Sequence, residues 1–148
     1  AQAWSSFGRA LVVTVPANAA VEEPVRVRLN GRGGLEYGHA LFRAEPGSSA
    51  VVVVDFSGGG VFADNVEIDV ADNASLTLVS IQDWDDTAVH LSAHHARLGR
   101  DARLKHVVVT LGGDVVRITP SARFTAPGAA TGGSTSASIA STGRSATS

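Results

Sequence analysis

Apolar and polar residues alternate with period two along several stretches of the chain. Val25, Val27 and Leu29 share one side while Arg26 and Arg28 take the other, and Val66, Ile68 and Val70 oppose Glu67 and Asp69. Successive side chains of an extended strand point to opposite faces, so these segments predict half-buried strands. The continuous apolar runs at 51–54 and 107–109 predict strands too, because β-branched residues suit a pleated surface and the runs are too short for helices. No stretch of ten or more residues carries an apolar stripe of helical period. The prediction is an all-β domain.

The strands recur. PANAAV, PGSSAV, DNASL and GRDARL each set Asn, Gly or Asp before a small residue and an apolar strand start, at Val21, Val51, Leu76 and Leu104. Those starts lie 30, 25 and 28 residues apart. A quasi-period of strands and turns with no intervening helix predicts a β-helix, in which each coil buries its apolar face by stacking on the next. A β-sandwich is the runner-up, and the Gly-rich links SGGG (57–60) and LGGD (111–114) would serve its hairpins. With GRGG (31–34), these clusters lack the spacing of phosphate loops and precede no helix, so they are expected at tight corners that need positive φ.

Residues 125–148 differ in kind: Ile139 is the only large apolar residue and Arg144 the only charge. Such a segment buries too little to offset its ordering entropy, which predicts a β-helical unit over 1–124 followed by a disordered Ala/Gly/Ser/Thr-rich tail. A flexible linker is one origin for the tail. Out-of-frame translation of a GC-rich gene is another, and shifting the frame near Pro127 would then reveal further alternating strands.

Composition narrows the function classes. A chain of 148 residues with 44% hydrophobic residues supports one domain with its own core. A net charge of −2 provides no basic field for nucleic acid or anionic lipid. No apolar run approaches the roughly 18 residues of a membrane span, and the opening residues lack the plan of a signal peptide, so the expected location is cytoplasmic. The absence of cysteine excludes disulfides and thiolate ligands. The absence of methionine marks a processed chain or a piece of a longer one.

Candidate chemistry concentrates in SIQDWDDTAVHLSAHHARLG, residues 80–99. His90 and His94 share one face of a strand with Ser92 between them, while Val89, Leu91 and Ala93 face the other way and His95 points away from the pair. Two imidazoles so placed can share a metal, but zinc or iron needs at least a third ligand and groups to orient the rings. The expectation is therefore a solvated strand face with no metal site. Asp83, Asp85 and Asp86 around Trp84 could form an acid/base pair, yet no nucleophile or oxyanion motif lies nearby. They read more simply as a corner where Trp84 covers the end of a core. DVADNAS lacks the Gly and terminal Glu of a calcium loop. No catalytic residue is expected, and no cofactor-binding residue is assigned.

NASLTLVSIQDW, followed by VHLSAHHARLGRDARLKHVVVTLGGDVVRITP, closely resembles the core domain of the SufB/SufD family of iron–sulfur cluster assembly proteins. The features that carry the resemblance are Ile81-Gln82-Asp83-Trp84, Leu98-Gly99 with Asp101-Ala102, and Leu111-Gly112-Gly113 with Arg117. The first is similar to an element shared with SufB, and the last leans toward SufD. The resemblance runs over residues 11–124 and is strongest over 74–120. It implies a right-handed parallel β-helix. It further implies a non-enzymatic SufD-like scaffold that pairs with a SufB-like paralogue and is driven by a SufC-like ATPase, with the iron–sulfur cluster held at the SufB–SufD interface and not by this segment. The helical regions that flank the core in the family are not seen here. No residue matches the family's cluster-related histidine motif, so His90 and His94 inherit no such role. A β-helical carbohydrate-binding or polysaccharide-processing protein is the alternative, and would show rows of exposed aromatics. A structural β-domain binding protein partners is a third.

Overall fold

A computed structural model describes residues 9–138. It is built only of strands: β1 (Arg9–Val15), β2 (Val25–Ala44), β3 (Ser49–Val70), β4 (Ser75–Trp84), β5 (Val89–Leu98), β6 (Arg103–Thr110), β7 (Val115–Phe124) and β8 (Ala130–Ser138). Every pairing between them is parallel. Two ladders result. On the first face β1 pairs the C-terminal half of β2, which pairs the C-terminal half of β3, then β5 and β7. On the second face the N-terminal halves of β2 and β3 are followed by β4, β6 and β8. The chain alternates between the faces, making a parallel β-solenoid of about four turns. Parallel neighbours cannot be joined by tight hairpins, so the sandwich alternative is set aside.

One corner of the solenoid is the recurring turn motif. Asn18, Gly47, Asn73, Asp101 and Gly128 all have positive φ, between 51° and 77°. In the first four of these turns the next residue's N–H donates back to the carbonyl three residues earlier, as in Ala74 to Ala71 at 3.1 Å and Ala102 to Gly99 at 3.3 Å. The turns also stack: Asn18 N–H donates to Pro46 O, Gly47 to Asp72 O, Asn73 to Arg100 O and Asp101 to Pro127 O, at 2.8 to 3.2 Å. Ser48, Ala74 and Ala102 follow the positive-φ residues and are fully enclosed, where only a small side chain fits. Asn and Asp tolerate the left-handed region better than other non-glycine residues, which is why they alternate with Gly here.

The opposite corner is made by the glycine clusters. Gly33, Gly58, Gly60 and Gly113 have φ between 90° and 103°. At Gly58 a Cβ would meet the carbonyl oxygen of Gly31 in the adjacent coil. This lets β2 and β3 bend from one face to the other without ending. Asp85 to Ala88 close the same corner two coils on, with Ala88 N–H donating to Asp85 O at 2.9 Å. Asp83, Asp85 and Asp86 are exposed while Trp84 is buried, as the corner reading requires.

Between the faces lies a core of Phe42, Val52, Val54, Phe56, Ile68, Val70, Leu76, Leu78 and Leu98. Val66, Ile68 and Val70 are buried, in line with the alternation that predicts them. The stretch expected as a disordered tail contains a strand, β8, which pairs with β6 from Arg103↔Ala130 to Thr110↔Ser138. Composition reflects side chains alone. The free backbone edge of β6 offers N–H and C=O groups that pair with any extended segment, apolar or not. Residues 139–148 lie outside the described residues.

The stacked turns generate a testable asymmetry. Asn73→Ala places an ordinary side chain at positive φ and is expected to lose about 1 kcal/mol, while Asn73→Gly stays within a few tenths. Urea unfolding of the two variants checks this, and equal losses would refute the role given to the turn.

Candidate functional site

The interior is not uniformly apolar. On β4 the inward positions run Leu76, Leu78, Ser80, Gln82, Trp84, and on β5 they run His90, Ser92, His94, Ala96, Leu98. His90 is 0% exposed and His94 2%. This reverses the expected orientation of β5: the histidines point into the solenoid, and Leu91 is 44% exposed on the outside. Register decides the matter. Val70↔Leu98 and Ile68↔Ala96 hold the C-terminal half of β5 over the core, and strict alternation then carries His94, Ser92 and His90 inward.

His90 is held by a chain of hydrogen bonds whose directions can be worked out. The Trp84 indole Nε1–H can only donate, and it donates to Gln82 Oε1 at 2.7 Å. Gln82 Nε2 therefore points the other way and donates to Ser80 Oγ at 2.6 Å. His90 Nδ1 lies 2.6 Å from the same Gln82 oxygen, so it must be the donor. Its Nε2 lies 3.0 Å from Asp64 Oδ1, where one proton joins ring nitrogen and carboxylate oxygen. Asp64 is also buried. Phe56, Trp84 and Phe62 surround the imidazole with ring centroids at 4.8, 4.9 and 5.6 Å.

His94 takes a different partner. Its Nδ1 is 3.1 Å from Nε2 of His106 on β6, and the rings stack at 4.9 Å. Burial, reinforced by the neighbouring His106, pushes the His94 imidazole down to about 3. Burial lowers His106 as well. Both rings are neutral near pH 7, so one donates and the other accepts. His94 Nε2 has no hydrogen-bond partner among the described residues. A lone pair left unpaired costs less than an orphaned N–H, which puts the His94 proton on Nδ1.

The structure thus puts His90 and His94 on one inner face and commits them to separate partners. No group of three or more His, Cys, Asp or Glu residues that could hold a metal ion occurs among the described residues. His95 lies on the face opposite the pair, but the reversal of β5 puts that face outside and not inside, within 2.7 Å of Ser121 Oγ. The residues missed from sequence are Asp64, Ser80, Gln82 and His106. Parity counted from Leu98 and Trp84 would have placed His90, Ser80 and Gln82 inside; Asp64 and His106 are joined to them only by folding. Asp64 also lines a cleft of about 740 Å³ with Arg28, Asn30, Tyr37 and His39. Through it the buried network meets the surface. The arrangement can orient hydrogen bonds and hold a proton.

Two outcomes are expected. Gln82→Leu strands two buried donors, Trp84 Nε1–H and His90 Nδ1–H, and should cost ~3 kcal/mol in chemical unfolding. His94 is neutral in the folded chain where the unfolded chain takes up a proton, so its contribution is complete above the ordinary value of 6.5 and is lost as pH falls toward about 3. His94→Leu should therefore remove about 3 kcal/mol of the stability difference between pH 6.5 and pH 4. Unfolding curves of both proteins at the two pH values measure this, and an unchanged difference would contradict it.

Comparison with known proteins agrees with this architecture. The family model for the SufBD core domain of SUF-system iron–sulfur cluster assembly matches residues 27–145. An iron–sulfur cluster assembly SufBD family protein of Mycobacterium tuberculosis is 54% identical over 130 residues, covering 86% of this chain and 33% of the relative. One from Mycobacterium leprae is 50% identical over the same length and shares. The chain therefore spans about a third of the length of the curated relatives it matches. No solved structure matched it. With a family model covering most of its length and a solenoid built on the turns and IQDW corner described here, the chain belongs to the SufBD family of iron–sulfur cluster assembly proteins.

Proposed function

We propose that the chain is the solenoid core segment of a SufD-type scaffold in the SUF system, acting in the cytoplasm without catalytic chemistry of its own. In this reading it pairs with a SufB-like paralogue and responds to a SufC-like ATPase, and the iron–sulfur cluster is assembled at the interface between the paralogues. The observation that carries the reading is the family match along residues 27–145. The interior is in keeping with it: Ser80, Gln82, Trp84, His90 and Asp64 are joined by hydrogen bonds, which suits a rigid spacer. The absence of cysteine and the LGG element with Arg117 favour the SufD side.

The carbohydrate alternative has little to stand on among the described residues. Phe42, Phe56 and Trp84 are buried in the core, so they form no exposed row on which sugars could stack. No helix among the described residues is long and apolar enough to cross a membrane.

The full-length protein, co-expressed with the SufB-like and SufC-like proteins of the same organism, is expected to co-purify with both as one complex. Recovery of the full-length protein free of the ATPase under conditions where the SufB-like protein retains it would refute the coupling.

A further inference from the structure

Outward side chains on the first face form rows that run across the strands, one residue from each coil. Arg43, Asp69, Arg97 and Arg123 are one such row, in register on β2, β3, β5 and β7. Leu41, Glu67, His95 and Ser121 are the next. Between the two rows runs an open groove of about 550 Å³, with Ile68, Ala96 and Ala122 along its floor. Its size falls within the range of roughly 300 to 1,000 Å³ typical of small-ligand sites.

Charge is uneven along this groove. Arg43 lies 3.5 Å from Asp69, as Arg26 on the second face lies 3.4 Å from Asp55, and Glu67 is hydrogen-bonded to His39 at 3.1 Å. The β2–β3 end is therefore neutralised from within the fold. At the other end Arg97 stands directly beside Arg123, both are exposed, and neither has an ion-pair partner among the described residues. Like charges directly opposite one another on neighbouring strands are destabilising. An anion brought from outside would relieve that repulsion.

The geometry points to a site at the β5–β7 end of the groove for the phosphate group of a small, soluble phosphorylated molecule. His95 and Ser121 add a donor to the two guanidinium groups. One proton joins His95 Nδ1 and Ser121 Oγ at 2.7 Å, and a neutral imidazole and a hydroxyl carry two between them. Either tautomer leaves one over, on Ser121 Oγ or on His95 Nε2. Two guanidinium forks and that donor can make up to about five hydrogen bonds, more than the roughly four acceptor sites of a carboxylate. The three terminal oxygens and double charge of a phosphomonoester match them better. A nucleic acid fits poorly, because two unpaired arginines are far fewer than the roughly six to ten phosphate contacts of such complexes. Glu67 and Asp69 also repel a second phosphate from the far end of the groove.

Phosphorus NMR of inorganic phosphate and of glycerol 3-phosphate, titrated with the full-length protein at fixed ionic strength, tests the site. Saturable line broadening is expected for both probes. Arg97→Gln and Arg123→Gln should each weaken binding about tenfold, the loss of one charge-assisted hydrogen bond. Arg26→Gln, on the second face, should bind as the unaltered protein does, and acetate should displace the probes poorly. In phosphate-free buffer the urea midpoints of the two groove variants are expected to equal or exceed that of the unaltered protein, because each variant removes a like-charge contact. That measurement separates lost binding from lost folding. Broadening that is absent, or unchanged in both groove variants, would overturn the inference. So would displacement of glycerol 3-phosphate by acetate as readily as by phosphate, or association with phosphatidic acid vesicles alone, which would make a lipid surface the ligand.

Discussion

A single coil of this chain has no core and few satisfied backbone groups; both come from the coil beside it. Parallel ladders on two faces, and a third column of hydrogen bonds through the stacked turns, lock each coil's position on the next. Because side chains alternate strictly along a strand, that lock also decides which residues are inside. A slip of one residue would turn Phe56, Ile68 and Leu98 outward together. The positive-φ turns matter for this reason. They hold the length of each coil nearly constant, so that like stacks on like.

The same constraint explains the buried polar network. Once Leu98 and Ala96 are seated over Val70 and Ile68, His94 and His90 have nowhere else to go. Their cost of burial is offset by partners that arrive from other coils: Asp64 from β3, Gln82 from β4 and His106 from β6. Such a network is sensitive to register in a way an apolar core is not, because a misplaced coil leaves donors without acceptors. A rigid and uniquely registered core keeps the outer surfaces at fixed relative positions.

Those outer surfaces divide the labour. The first face carries the ion pair of Arg43 with Asp69 and a hydrogen bond between His39 and Glu67. The second carries the partly buried Val51, Val79, Ile81, Val107 and Val109. The contrast arises within one chain because β2 and β3 bend at glycine corners and so contribute to both ladders.

The local pattern was enough to establish the strands, the recurring turn and the glycine corners, since each depends on period, on positive φ or on short-range geometry. The Asp83 to Asp86 corner around Trp84 and the buried stripe at Val66, Ile68 and Val70 were legible on the same grounds. The resemblance carried by IQDW and LGG identified the family. Which face of β5 is inside was not decided by its own residues: HLSAHHARL offers apolar groups of either parity, and only pairing with β3 chooses between them. Nor could local pattern join Asp64 to His90 across 26 positions, or find a strand in the apolar-poor stretch at 130–138. In each case the deciding energy is a contact between coils, made by backbone edges and buried partners that are distant in sequence and adjacent only in the folded solenoid.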